Sequence, residues 1–478
     1  MALKRRGSVV LVLSMLTAFA SIAIAGPDAK TSDAGKPLAS ASASSTSLKP
    51  KLQIERFTLD NGLRVVLNPD DASPTIAVVV WYDVGSRDEH LGEGGFAHLF
   101  EHMMFEGSDK VPRGKHAEIV EGRGGKQNAS TSEDWTRYWE MMPASELATT
   151  LYLESDRMRS LHVTEEAFEN QRKVVKEEYH LRVDNVPYRH GSFRLMELVY
   201  EGYHPYAHPA IGSMPELDAA KLEWVKQFHD NYYGPNNAVL VISGDIDVAE
   251  AKGLVTKYFA PIARIPQPSH DDAAFTGRSK PSGPESLSDP FARTPAAMFG
   301  WTIPKSGDRE NYALQIAASV LTDGDSSRLY KRLVKDLGAA QDVSASTADH
   351  RGPDAFVIEA QLSDKGKIDD VEREILAAVD ALAKKGPTPE ELQRARARTE
   401  HGFLFGLQTN LSRAIGLATF EGERGDASLL STESDRLLSV TADEVKAAVA
   451  KYLVSSKLAH VRVLPPPKAD AKSTGKKG

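Results

Sequence analysis

The residues of this chain best suited to chemistry are His98, Glu101 and His102, within GEGGFAHLFEHMMFEGS at 92–108. Apolar residues at Phe96, Leu99, Phe100, Met103 and Met104 recur at helical spacing. On a helix, His98 and His102 stand one turn apart on one face, where two imidazoles can hold one metal ion. Glu101 borders that face. It can reach a water at the metal without being a ligand, as a general base must. The chemistry such a grouping allows is hydrolysis; the plainer alternative is a polar helix face with two ordinary histidines. The chain has no cysteine, so any metal must be held by histidines and carboxylates.

A metal helix needs a scaffold and a third ligand. Residues 57–59 and 63–67 read as strands around the turn Asp60-Asn61-Gly62, an Asn-Gly hairpin signal. Residues 76–81 are a continuous apolar run, the pattern of a central strand. A glycine-rich turn at 122–125 leads to the polar stretch 126–132 and a strand over 135–142. The polar stretch is either a solvated hairpin arm or a free sheet edge on which an extended peptide could pair. Helices are predicted at 145–160 and 165–182. In the second, Glu178 has Val174, Val175 and Leu181 at helical neighbours, whereas Glu177 points to solvent. A carboxylate on a buried face needs a partner: a metal, or a neighbouring arginine. Further helices are expected near 192–201, 215–233 and 248–259, with a buried strand at 237–242.

The 478 residues suffice for several domains' worth of core, and a net charge of -8 argues against a nucleic-acid binder. Lys4-Arg5-Arg6, an apolar run over 9–24 and Ala23-Ile24-Ala25 read as a secretory signal peptide (1–25), with no membrane span after its cleavage. The chain is therefore expected to be exported, to the periplasm or outside the cell. Residues 26–50 are a polar linker, 51–262 a metal-binding half, 263–293 a second linker, 294–465 a second half without the metal motif, and 466–478 a disordered tail. A short repeat relates the halves. Residues 224–228, Tyr232 and the strand after them match 444–448, Tyr452 and its strand at an offset of 220.

The H-x-x-E-H helix, the sequence VVKEE at 174–178 and YGPNNAVLVISGD at 233–245 together resemble the pitrilysin/insulinase family of inverted-zincin metallopeptidases, which includes the mitochondrial processing peptidase. The resemblance covers residues 53 to about 465 and is stronger in the first half. It implies an α+β fold of two homologous halves, each an antiparallel sheet packed with helices, facing each other across a chamber. It implies one Zn2+ per chain, held by His98, His102 and Glu178, with Glu101 as base. It also implies that Asn128 and Ala129 lie on the strand that takes a peptide or unfolded polypeptide in extended form. Two positions depart from the pattern. A supporting glutamate of the family is Gln171 here, and its substrate-clamping Arg and Tyr fall on Val334 and Gln341. Some family members divide metal motif and clamp between two subunits, so the resemblance leaves open a chain that acts alone, a homodimer, a heterodimer with a clamp-bearing partner, or a non-catalytic peptide-binding subunit.

Overall fold

Six strands of the first half form one sheet in the computed structural model of the chain, which describes residues 52–270, 275 and 277–467. They are β1 (Glu55–Thr58), β2 (Arg64–Pro69), β3 (Thr75–Tyr82), β4 (Lys126–Thr131), β5 (Thr136–Pro143) and β6 (Ala238–Gly244). Their order is β1-β2-β6-β3-β5-β4, antiparallel throughout except for the parallel pair β2–β6. The apolar runs of β3 and β6 are central and buried on both faces. Around the sheet lie α1 (Phe96–Met103), α2 (Lys115–Gly122), α3 (Leu147–Arg159), α4 (Glu165–Tyr179), α5 (Arg189–Val199), α6 (Met214–Ala219), α7 (Leu222–Tyr232) and α8 (Val248–Phe259). The stretch expected as one helix over 215–233 is two, because Ala220 leaves helical geometry and Lys221 is extended between α6 and α7.

The second sheet comprises β7 (Glu285–Ser288), β8 (Ala296–Ile303), β9 (Ala340–Thr347), β10 (Asp354–Leu362) and β11 (Ala459–Leu464), ordered β7-β11-β8-β10-β9. This repeats the order β2-β6-β3-β5-β4, with the parallel pair in the same place. Its helices are α9 (Arg309–Thr322), α10 (Ile368–Lys385), α11 (Pro389–Gly406), α12 (Asn410–Arg424), α13 (Glu433–Leu438) and α14 (Ala442–Tyr452). The α+β fold is thus two like halves. The stretch 263–293 is not linker throughout: it contains β7, whose single apolar residue, Leu287, gave no strand signal. The expected signal peptide, the linker up to residue 50 and the tail from residue 468 lie outside the described residues.

Each sheet packs one face on helices of its own half and lends the other to a helix of the opposite half. From the second half, α12 sets Ala414, Leu417 and Ala418 against Val66, Val79, Trp81 and Val241 of the first sheet. In return α5 sets Leu195, Leu198 and Val199 against Met298, Ala355, Val461 and Val463 of the second. Glycines permit the close approach at both places. A Cβ at Gly422 of α12 would stand 2.6 Å from the Trp81 ring, and one at Gly191 of α5 would stand 2.2 Å from Val463. Among the described residues no helix is long and apolar enough to cross a membrane.

Candidate metal centre

All eight residues of α1 are buried, so its two histidines are held by packing on every side. The chain enters α1 through Gly95, whose φ of 89° is left-handed. Glu89 caps the helix: its carboxylate accepts from Gly95 N at 3.0 Å and from Ala97 N at 2.6 Å, which satisfies orphan donors and suits the helix dipole.

Opposite α1, α4 presents Glu178. Its Oε1 is 3.7 Å from His98 Nε2 and its Oε2 is 3.2 Å from His102 Nε2. One ligand atom from each of the three residues lies within 4.8 Å of the others. Arg182, one turn on, places Nη1 2.8 Å from Glu178 Oε1. Burial alone would raise Glu178, but the hydrogen bond from His102 and the neighbouring positive groups hold it down at about 2. Burial and the proximity of His102 push His98 down to about 3, so that ring is neutral. Burial opposes charge on His102 as well, but its bond to Glu178 and the charges of Glu101 and Glu178 raise it.

The tautomer of His102 follows from its other neighbour. Gln171 Nε2 donates to Glu106 Oε1, and Glu106 Oε2 is held by Arg113 Nε at 2.8 Å. The amide oxygen of Gln171 is therefore turned to His102 Nδ1, 3.2 Å away, and can only accept. His102 therefore holds a proton on Nδ1, and its Nε2 points at the Glu178 carboxylate, donating a second proton there when the ring is charged and offering a lone pair when it is not. Two lone-pair atoms 3.2 Å apart need a cation between them, a proton or a metal. The donor set of two imidazoles and one carboxylate suits zinc with one position left open. Gln171, at the position where a supporting glutamate was expected, thus orients a histidine rather than Glu178.

Glu101 stands beside these donors and outside them. Thr131 of β4 donates its hydroxyl to Glu101 Oε2 at 2.7 Å. Burial pushes the Glu101 carboxyl up to about 7, against the lowering effects of His102 and the Thr131 bond. No local pattern marks Thr131 as the partner of Glu101. Its place two residues beyond Ala129 put both on one side of a strand, but not on which side α1 would lie.

Asn128 and Ala129 lie on β4, the edge strand of the first sheet. Ala129 is buried on the α1 side; Asn128, half-buried, faces the other way and accepts from Ala129 N at 2.9 Å. On α4, Val175 is buried and Glu177 exposed as expected, but Val174, and Leu181 just past the helix end, are 47% and 57% exposed. The apolar face around Glu178 is therefore narrower than the spacing implied. Gln341 of β9 donates to Leu362 O at 3.0 Å and to Thr294 Oγ1 at 3.3 Å, and Val334 packs against the core of the second half. One other group of metal-type donors converges among the described residues, His116 with Glu140 and Glu154. There a cation is already present: Arg157 Nη2 bonds Glu154 and lies 3.3 Å from Glu140.

Fold and site together define an α+β chain of two like halves with a His/His/Glu donor set in the first. Comparison with known proteins gives the family. The description Insulinase (Peptidase family M16) matches residues 64–196, and Peptidase M16 inactive domain matches residues 220–399. Zinc protease PqqE of Helicobacter pylori is 31% identical over 366 residues, 74% of this chain and 80% of that protein. A crystal structure of a protease from Helicobacter pylori superposes with a TM-score of 0.81 at 27% identity, covering 87% of this chain and 100% of that one. A putative M16-like peptidase from Alicyclobacillus acidocaldarius shares the fold at a TM-score of 0.77 and 22% identity, over 88% of this chain and 100% of its own. The chain belongs to the insulinase family, peptidase family M16.

Proposed function

We propose that this chain is an exported zinc-dependent endopeptidase that cleaves peptides or unfolded segments of polypeptide. The observation that carries the reading is the convergence of His98, His102 and Glu178 on a point that needs a cation, with Glu101 beside it and outside the donor set. One zinc ion per chain would be held by those three residues and would polarise a scissile carbonyl and acidify water there. Glu101 takes the proton of the attacking water and delivers it to the leaving amine. Thr131 holds the carboxylate of Glu101 in place for that transfer. Gln171 keeps the Nδ1 proton on His102 and so keeps Nε2 available. Asn128 and Ala129, on the free edge β4, offer backbone to an extended substrate. Export rests on the basic start, apolar run and small-residue site of residues 1–25, with the periplasm or the exterior as destination.

A second reading is favoured by Val334 and Gln341, which stand where the family's clamp would be. In it the chain is the metal-bearing subunit of a pair, completed by a related clamp-bearing partner or by a second copy of itself. Cleavage of a mixed peptide library by the mature chain with zinc, beside its Glu101→Gln variant, tests both. Activity in the wild type alone supports a self-sufficient peptidase. Stoichiometric zinc with no cleavage in either supports the paired form. Equal cleavage by both proteins would refute the role of Glu101.

A further inference from the structure

The first sheet is unevenly covered. On the face turned away from α1, α12 lies chiefly over β3 and β6. Toward the β4 edge the cover thins, and Asn128, Ser130, Trp135 and Trp139 are only half-buried. Arg137 of β5 sits in this thin region, with 8% of its surface exposed.

Its surroundings leave the guanidinium held but not neutralised. Ser130 and Arg137 are register partners, and Arg137 Nε donates to Ser130 Oγ at 3.0 Å. The guanidinium lies over the Trp135 ring, 4.1 Å from its centre. Its two terminal nitrogens have no hydrogen-bond partner among the described residues. Glu423 of α12, and Glu101 through the sheet, supply opposing charge, but neither closes to an ion pair. Burial lowers Arg137 to about 10, which still leaves it charged at neutral pH. A buried charge without a partner is costly, and a planar fork of two free N–H donors fits a carboxylate.

The strand register says where that carboxylate would come from. A peptide laid along β4 runs roughly 5 Å beyond it, with side chains on alternate faces. Those on the Asn128 and Ser130 side come to lie beside the Arg137 fork. Thr131, the residue after Ser130, is the one that touches Glu101. We propose that Arg137 is a specificity residue that binds a carboxylate of the substrate, on a residue within about two positions of the cleaved bond. The inference rests on the peptidase reading and on β4 as the strand that takes the substrate.

Zinc-loaded Glu101→Gln protein, which should bind without cutting, is the test material. It is titrated with end-blocked, otherwise uncharged peptides that carry one Asp at successive positions, and with the same peptides carrying Asn. Asp should bind roughly tenfold or more tightly than Asn at one register only, the range expected of a charge-assisted pair. Adding Arg137→Gln should erase the difference, Arg137→Lys should keep part of it, and Glu423→Gln should leave it intact. Peptides with a free C-terminus and no Asp separate the two sources of carboxylate: tight binding by these, again abolished by Arg137→Gln, would assign the group to a chain end. Binding that ignores charge, or an Asp preference that survives Arg137→Gln, would overturn the assignment of Arg137 alone. Failure of every peptide to bind would overturn the peptide reading and this assignment with it.

Discussion

With no metal bound, the Glu101 pocket is a burden on the fold whose size depends on pH. Burial raises the folded carboxyl from 4.5 to about 7, while His102 and Thr131 pull the other way. Between those values the folded chain binds a proton that the unfolded chain has released, so unfolding free energy falls as pH rises through the window. At roughly 1.4 kcal/mol for each pKa unit, the loss is about 3 kcal/mol by pH 8. Glu101→Gln removes the titration, keeps the shape and keeps an oxygen to accept from Thr131. In zinc-stripped protein the variant should therefore gain on the wild type with pH. Urea denaturation followed by tryptophan fluorescence at pH 5 and pH 8 measures it. The difference in stability should widen by about 2 to 3 kcal/mol between the two. A difference that stays constant would refute the claim that Glu101 is a desolvated acid in the empty site.

Three further outcomes are expected. Thr131→Val removes the donor that favours ionised Glu101, so the acid limb of the kcat/KM profile should move up by about one pH unit with zinc content unchanged; an unmoved limb would count against the bond. Gln171→Leu frees the His102 ring to turn and to carry its proton on either nitrogen, and chelator competition should show zinc affinity lowered roughly 10- to 100-fold. Gly422→Ala pushes a methyl group to 2.6 Å from the rigid Trp81 ring. It should destabilise the whole chain by about 1 to 3 kcal/mol in urea, with zinc binding per folded molecule unaltered.

The two-histidine helix was legible because its signal is local: His98 and His102 stand one turn apart on an apolar-backed helix. Glu178 was harder, 76 residues from His102. Helical phase separated it from Glu177, and the family resemblance grouped it with His98 and His102, beside which it stands. The spacing of Val174 and Leu181 overstated how far that helix face is buried, since two apolar residues at its flank face solvent. The helix α2 leaves no stripe in the sequence, because it buries only His116 and Val120. Gln171 read as a lost carboxylate, because its tie to His102 joins two helices whose packing no local pattern fixes. The 220-residue repeat was visible in α7 and α14, but the exchange of α5 and α12 was not. An amphipathic helix announces an apolar side without saying which sheet will cover it.

That exchange has a consequence for how such a chain could arise. A half-length protein with this topology would expose Val79, Trp81 and Val241 to water unless another copy supplied its helix. Two copies trading helices about a twofold axis would each be whole, and joining them end to end would make the trade permanent. One copy could then do without the two histidines, as α9 does in the place that α1 holds between its own strands, while still serving as the other's lid. For the same reason neither half should survive alone: cutting the chain between β6 and β7 and removing either piece strips an apolar sheet face bare.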